Sequence, residues 1–270
     1  MCILAKTNCK KSTDNAILAV INYHERTFYM NGLKRNTEKL FSNGGKLFAM
    51  AMDLPMCGLV DGLEDPIGVL NARKDSKLDA FLVNVGIAKA AEDVILHKKL
   101  LLRTSAGGTF LASEFTSVQK NHVSPETALA MGADAVVMMM TMGGADYANT
   151  QDAAAAIDGY HRLSIPVIVE ILADDYTKTQ TFDVQANGAR VAAELGADVV
   201  KAFYTENFAK VVSNCPVPIV LAGGPKGTDI AEIAADAVRC GVKGFCFGRN
   251  LYQSEEAAQR IEVLDRILRG

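Results

Sequence analysis

The sequence predicts one (β/α)8 barrel, and three observations lead to this fold class. Eight short apolar segments alternate with segments of helical period over roughly 230 residues, which is the pattern of eight βα units. The apolar segments show no regular alternation with polar residues, as expected for parallel strands that are covered on both faces. No GxGxxG motif follows the first segment, so the barrel is favoured over an open doubly wound sheet, the alternative for such a pattern.

Turn residues bound each apolar segment, and we predict strands there. In chain order the eight predicted strands are Lys46–Met52, Ala80–Val85, Lys99–Arg103, Ala135–Met140, Pro166–Leu172, Asp198–Ala202, Pro218–Leu221 and Gly244–Phe247. The clearest helical periods cover Thr150–Leu163, Thr181–Leu195, Ile230–Cys240 and Glu255–Leu268. Glycine closes helices in the left-handed conformation, so helix ends are expected within Met131–Asp134, Leu195–Asp198 and Cys240–Lys243.

No linker rich in Ser, Gly or Pro divides the chain, so residues 41–270 are predicted to form one barrel domain. Residues 1–40 are predicted to form an N-terminal arm and a lead helix. Within them, Met1 to about Met30 has no clear period, whereas Gly32–Phe41 has the period of a short helix that Asn43–Gly45 closes.

Composition and charge exclude several classes of function. The formal net charge is −3, the pI is near 5.9 and no long Lys/Arg block occurs, so neither nucleic acid nor a membrane surface is an expected partner. No apolar run has the length of a membrane span. Six scattered cysteines without a CxxC pair are expected to be free thiols in a reducing cytoplasm. Four histidines without HxH or HExxH spacing predict no metal site, and we expect no cofactor.

Lys201 is the first candidate for chemistry, because it interrupts the apolar run Ala197–Tyr204 on the sixth predicted strand. Active sites of barrels lie at the carboxyl ends of the strands. Burial there removes water from the ammonium and lowers its pKa, which gives a nucleophilic amine able to form a Schiff base with a ketone. The structural alternative is a lysine that pairs with an acidic neighbour or extends its ammonium to the rim.

Three further charged residues lie within predicted strands or at their ends. Glu170 interrupts strand 5; facing the lumen it can pair with Lys201 or transfer protons, and facing outward it would meet a surface cation. Asp53 follows strand 1, where a carboxylate can accept a proton, bind a substrate hydroxyl or cap the next turn. Arg103 ends strand 3, where it can bind a substrate anion or form an ion pair inside the barrel.

The loops after strands 7 and 8 predict a phosphate site. Leu221–Gly227 and Phe247–Asn250 are glycine-rich, and each precedes a helix. Glycines let backbone N–H groups approach a phosphate closely, helix N-termini favour anions, and this fold often binds phosphate at these two loops. The residues proposed to bind phosphate are Gly223, Gly224, Gly248 and Arg249, with Lys226 nearby. The alternative is two ordinary βα turns whose glycines need positive φ.

Five segments, in order along the chain, resemble those of a known family: Ala51–Asp53, Gly62–Glu64, Val200–Tyr204, Cys215–Gly224 and Gly248–Gln253. The last three are specific and the first two are weak. They resemble the archaeal-type class I fructose-bisphosphate aldolases, whose relatives include the thiolase that cleaves the autoinducer-2 phospho-dione. The resemblance covers nearly all of the chain after about residue 35.

The resemblance implies a (β/α)8 aldolase in which Lys201 is the Schiff-base lysine and Asp53 assists proton transfer. It also implies that the glycines after strands 7 and 8 and Arg249 hold the substrate phosphate. A ring-like homo-oligomer, often a decamer, is a further implication. Two departures concern proton transfer. Asp53-Leu54-Pro55 replaces the family's Asp-His-Gly, and strand 5 has Glu170 and Leu172 where the fructose-bisphosphate enzymes have Trp-x-Tyr with a catalytic tyrosine.

These observations give one leading hypothesis and two alternatives. The leading hypothesis is a metal-independent aldehyde-lyase that acts on a phosphorylated ketose or keto-phosphate, with Glu170 or Asp53 moving the proton. The first alternative is an acyl or aldol transferase like the dione thiolase, and the second is a barrel that binds sugar phosphates without catalysis.

Overall fold

In the computed structural model, which describes residues 32–112, 116–144, 146–224 and 229–270, eight parallel strands form a closed barrel. The strands, β1 to β8, are Leu47–Ala51, Ala80–Val83, Lys99–Arg103, Ala135–Met142, Val167–Ala173, Val199–Ala202, Ile219–Ala222 and Gly244–Phe247. Around the barrel their order is β1-β8-β7-β6-β5-β4-β3-β2, and β1 closes the ring by pairing with both β2 and β8. The predicted barrel is therefore confirmed, and the open sheet is excluded.

Helices connect consecutive strands and surround the barrel. Residues 32–40 form α1, and α2 to α11 are Pro66–Asn71, Val85–Ala90, Glu92–Ile95, Pro125–Ala130, Tyr147–Arg162, Phe182–Glu194, Phe208–Asn214, Ile230–Cys240, Arg249–Tyr252 and Ala257–Arg269. Short 3-10 turns cover Leu54–Cys57 and Tyr176–Lys178. After β3, Ser105–Ala106 pairs antiparallel with Lys120–Asn121. Within the described ranges, every helix is too short or too polar to cross a lipid bilayer.

Alternate residues of each strand face the lumen or the helices, because side chains alternate along a strand. The lumen cluster includes Leu47, Leu101 and Ile168, whereas neighbours such as Phe48 belong to the separate cluster under the helices. Leu40 of α1 belongs to the lumen cluster and is fully buried. The helix predicted over 32–41 therefore closes the amino-terminal end of the barrel. The arm predicted before it lies outside the described residues.

A Gly-Ala-Asp sequence both ends a helix and fixes a strand pair. Gly196 follows α7 with φ of 103°, the left-handed conformation that glycine adopts without strain. Two residues later, the carboxylate of Asp198 accepts a hydrogen bond of 2.8 Å from the backbone N–H of Val167 on β5. Gly132 and Asp134 repeat this arrangement two strands earlier. The predicted glycine-terminated helix ends are thus confirmed, and they also set the register of the barrel.

Gly244 gives a test of the closure between β1 and β8. A Cβ at this position would lie 2.1 Å from the carbonyl oxygen of Leu47, which is backbone and has no freedom to move aside. We expect Gly244→Ala to lower the free energy of unfolding by at least about 2 kcal/mol in urea denaturation. Gly86 in α3 is the matched control, because its Cβ would meet nothing within 4 Å. Gly86→Ala should change stability by no more than about 1 kcal/mol. Equal stability of the two variants would contradict this account.

Candidate active site

Lys201 and Glu170 lie side by side in the lumen. The register between β5 and β6 aligns Glu170 with Lys201, and both side chains point inward, which decides between the two orientations that the sequence left open for Glu170. The Nζ atom of Lys201 is 2.7 Å from Oε1 of Glu170, and each side chain is only 6% exposed. The strand pairing therefore fixes a buried ion pair at the centre of the barrel.

Arg103 extends this pair into a buried chain of four alternating charges. Its Nε donates a hydrogen bond of 2.6 Å to Oδ2 of Asp53, and its Nη2 contacts both Asp53 and Oε2 of Glu170. Glu170 thus binds Arg103 through one carboxylate oxygen and Lys201 through the other. The order of the charges is Asp53–Arg103–Glu170–Lys201.

The geometry of Arg103 matches the second of the two roles that the sequence left open for it, and its assignment as a ligand for substrate or phosphate stays a prediction. The side chain is completely buried, and Arg103 does not belong to the cavity lining. Because two carboxylates already bind the guanidinium, Arg103 is an ion-pair partner inside the barrel, which is the alternative that the sequence left open.

The charges in this chain set the protonation states. Burial is the largest single influence on the pKa of Lys201 and lowers it, but Glu170, together with smaller contributions from Cys246 and Asp53, outweighs burial and raises the pKa above its ordinary value. Burial raises the pKa of Glu170, but the positive charges of Lys201 and Arg103 outweigh it and lower the pKa to about 2. The expectation that burial makes Lys201 a free amine is therefore wrong for the unliganded protein, in which Lys201 is an ammonium.

Seven of the eight predicted site residues line one cavity of about 250 Å³ at the carboxyl ends of the strands. They are Asp53, Glu170, Lys201, Gly223, Gly224, Gly248 and Arg249. The structure therefore brings the charged residues of the lumen and the loops after β7 and β8 to the same space. Lys226 lies outside the described residues, as do the other residues of 225–228 in the loop after β7.

Two of the loop glycines are explained by the close approach of other atoms to their α-carbons. A Cβ on Gly248 would lie 3.0 Å from the carbonyl oxygen of Ala51, and a Cβ on Gly223 would lie 2.8 Å from Oδ1 of Asn250. Neither glycine has φ in the left-handed region, so the ordinary-turn alternative does not account for them. The loops instead leave the backbone uncovered at the cavity, which is what close contact with an anion needs.

Several cavity residues were not predicted from the sequence. They are Gln119, Tyr176, Cys246, Asn250 and Tyr252. Burial raises the pKa of Cys246 to about 11 and that of Tyr252 to about 12, so both side chains are neutral. The alternation of β8 indicates Cys246, which is two residues beyond Gly244. Gln119 lies in a loop and Tyr176 begins a short 3-10 turn, so no strand or helix period marks the side that faces the cavity. Of the His, Cys, Asp and Glu residues in the described ranges, no three or more are arranged to hold a metal ion.

Comparison with known proteins gives one family and several relatives. Residues 45–254 match the sequence model of the DeoC/LacD family of aldolases. The chain is 30% identical over 250 residues to 2-amino-3,7-dideoxy-D-threo-hept-6-ulosonate synthase 1 of Archaeoglobus fulgidus, covering 90% of this chain and 93% of that protein. It is 28% identical over 195 residues to the 3-hydroxy-5-phosphonooxypentane-2,4-dione thiolase of Yersinia pestis, covering 70% of this chain and 66% of the thiolase.

Solved structures show the same similarity. An archaeal fructose 1,6-bisphosphate aldolase is similar with a TM-score of 0.78 and 25% identity, covering 88% of this chain and 99% of that one. A second structure of an archaeal fructose-1,6-bisphosphate aldolase has its catalytic lysine bound covalently to the carbinolamine intermediate of the substrate. Its TM-score is 0.79 at 25% identity, covering 88% of this chain and 100% of that one.

Glu170→Gln tests the buried ion pairs through their pH dependence. The pKa of Glu170 is depressed, so its stabilising contribution is complete above the unfolded-state pKa of about 4.3 and is lost as the pH falls towards 2. At pH 7 we expect Glu170→Gln to lower the free energy of unfolding by about 3–5 kcal/mol. The difference from wild type should shrink by roughly 2 kcal/mol between pH 5 and pH 3, because the unfolded carboxyl takes up a proton there.

The control for this titration is Glu194→Gln, which breaks an exposed ion pair with Arg190 on α7. Exposed helix pairs contribute only about 0.3–0.5 kcal/mol, so this variant should remain close to wild type at every pH. Urea unfolding at several pH values measures both variants. A stability difference for Glu170→Gln that stays constant from pH 7 to pH 3 would contradict the assignment of a low pKa to Glu170.

Proposed function

Because the chain belongs to the DeoC/LacD family of aldolases, we propose that it is a Schiff-base-forming, metal-independent aldolase with Lys201 as the nucleophile. It would cleave or form a carbon–carbon bond in a phosphorylated ketose or keto-phosphate. The observation that carries the proposal is the buried Lys201 ammonium, which shares one cavity with the glycine loops and Arg249. The aldolase structure with a carbinolamine on its catalytic lysine supports the same chemistry.

The first step in this proposal is imine formation. Glu170 accepts a proton from the Lys201 ammonium across their 2.7 Å contact when the bound substrate excludes water from the cavity. The neutral amine then attacks the ketone carbon to give a carbinolamine. Glu170 returns the proton to the departing hydroxyl group, and water leaves as the protonated imine forms. Glu170 can serve both directions because Arg103 holds its other carboxylate oxygen in place throughout.

The second step is cleavage of the carbon–carbon bond. The protonated imine accepts the electron pair of the breaking bond and becomes an enamine. A base must meanwhile remove the proton from the substrate hydroxyl that becomes the aldehyde. Asp53 is suited to this role, because it lines the cavity and only its Oδ2 binds Arg103. Each carboxylate thus has one role: Glu170 transfers protons at the amine, and Asp53 accepts the proton of the substrate hydroxyl. Together they would replace the strand-5 tyrosine of the fructose-bisphosphate enzymes, which this chain lacks.

Phosphate binding is proposed for the part of the same cavity wall that the loops after β7 and β8 form, between Lys201 on β6 and Asp53 after β1. Gly223, Gly224 and Gly248 present backbone without side chains, and Arg249 supplies a positive charge at the cavity. Together these groups can anchor a phosphate while the ketone lies at Lys201. Binding energy from a phosphate remote from the reacting carbon positions the substrate for attack.

A second candidate is acyl or aldol transfer on the same scaffold. The relative named as a phosphonooxypentane-dione thiolase favours it, because that enzyme shares 28% identity over 195 residues. Both candidates form the imine on Lys201, so trapping does not separate them. Product analysis with and without an added acceptor separates the two candidates, because a lyase releases product from substrate alone, whereas a transferase needs the acceptor for turnover.

Borohydride trapping tests the proposed nucleophile. Incubation with a ketose phosphate and borohydride should reduce the imine and add the mass of the reduced substrate to the peptide that contains Lys201. Lys201→Met should show no adduct and lose at least about 1,000-fold in kcat, because the remaining site offers no covalent route. Lys210→Met, on the exposed side of α8, is the control; it should still form the adduct and keep the kcat of wild type. An adduct on another lysine, or full activity in Lys201→Met, would refute the proposal.

A further inference from the structure

Gln119 is a buried glutamine in the cavity wall whose side-chain oxygen, Oε1, lacks a hydrogen-bond partner among the described residues. It is 2% exposed and lines the same cavity as Lys201. A buried amide oxygen without a partner is unfavourable, and most buried polar groups in proteins have partners. A ligand that fills the cavity can supply the missing hydrogen-bond partner for Gln119.

The backbone around Gln119 is fixed, which leaves the terminal amide as the adjustable group. Nδ2 of Asn149 donates a hydrogen bond of 2.9 Å to the carbonyl oxygen of Gln119. The hydroxyl of Thr141 on β4 donates one of 2.9 Å to the carbonyl oxygen of Thr116 in the same loop. The last torsion of a glutamine side chain is broad, so either the oxygen or the nitrogen of the amide can turn towards a ligand.

The position of Gln119 sets it opposite the proposed phosphate site. Its loop is tied to the carboxyl end of β4, and in the ring of eight strands β4 lies four strands from β8 in either direction. Arg249 follows β8, and Lys201 lies on β6, midway between. A substrate with its phosphate at Arg249 and its ketone at Lys201 therefore extends its remaining carbons towards Gln119.

Apart from the Glu170 carboxylate, which pairs in register with Met139, the side chains at this end of the cavity are neutral. The side chains that line it near β4 include Thr116, Gln119, Met139 and Leu172. Among the described residues of the lining, Lys201 and Arg249 are the only Lys or Arg residues. A second phosphate placed near Gln119 would thus be desolvated without a counter-charge, which is strongly unfavourable.

We propose that Gln119 hydrogen-bonds a neutral hydroxyl at the end of the substrate remote from its phosphate, and so selects a singly phosphorylated polyhydroxy ketone. This inference rests on the proposed aldolase function and names the substrate class of the same site. A site built to hydrogen-bond a hydroxyl rejects the analogue that lacks it, because the amide oxygen then stays buried without a partner.

Trapping as a function of ligand concentration tests the inference. Ketose monophosphates of four to seven carbons are screened by borohydride trapping, and the one that traps at the lowest concentration is compared with two derivatives. One derivative lacks the terminal hydroxyl and the other carries a second phosphate there. Wild type should need about 10-fold more of either derivative for half-maximal trapping. In Gln119→Met the hydroxylated and deoxy compounds should become equal to within about 2-fold, because the discriminating hydrogen bond is gone.

Two further variants separate recognition from folding. Gln119→Glu keeps the acceptor and adds a negative charge, so it should retain the preference for the hydroxyl and bind the bisphosphate still more weakly. Gln185→Met is the matched control for a buried glutamine, because all three hydrogen bonds of the Gln185 amide go to backbone atoms, those of Ile171, Thr179 and Phe203. It should lower stability and weaken trapping of hydroxylated and deoxy compounds by the same factor.

The outcomes distinguish this inference from the function on which it rests. If Lys201 is trapped but Gln119→Met and wild type discriminate equally, Gln119 has no part in recognition and the aldolase proposal stands. A bisphosphate that traps as readily as the monophosphate would overturn the singly phosphorylated class. If no compound of the panel gives an adduct in wild type, the aldolase proposal fails and the inference fails with it.

Discussion

The buried chain of charges from Asp53 through Arg103 and Glu170 to Lys201 is the interaction on which the site depends. A lone ammonium inside the barrel would lose its hydration without compensation, and removal of one partner from a buried pair typically costs about 3–5 kcal/mol. Two carboxylates and two cations offset one another here. This arrangement has a direct consequence for the chemistry. Glu170 stabilises Lys201 as an ammonium in the resting protein, and the same carboxylate is close enough to accept the proton of Lys201.

The closed barrel makes this arrangement possible. Side chains from β3, β5 and β6 reach one another only because parallel strands in register bring them to the same layer of the lumen. The Asp residues that precede β4 and β6 fix that register by accepting hydrogen bonds from the neighbouring strands. The same closure places the glycine loops after β7 and β8 around the cavity that the charges line, so nucleophile and anion site share one space.

Local sequence patterns were enough to predict the strands and the glycine-terminated helix ends, whereas they left the orientation of Glu170 open. The strands and the helix ends each follow from the period or chemistry of a few consecutive residues. The partner of Arg103 was not predictable in this way, because it depends on which strands meet across the lumen. The predicted direction of the Lys201 pKa shift was wrong for the same reason. The sequence indicated that Lys201 is buried, but it did not indicate how close Glu170 lies to it. Gln119 lies in a loop without a period, and only the cavity identifies it.

The central claim is that Glu170, and not burial, sets the charge of Lys201 in the resting protein. Lysine-labelled NMR titration measures this directly, with the Lys201 signal assigned by its absence in Lys201→Met. In wild type the signal should remain that of an ammonium beyond the ordinary lysine pKa of about 10.4. In Glu170→Gln, where burial and Arg103 both disfavour the charge, Lys201 should titrate at least about one pH unit below that value. A neutral Lys201 in wild type at pH 8, or an unchanged titration in Glu170→Gln, would contradict the claim.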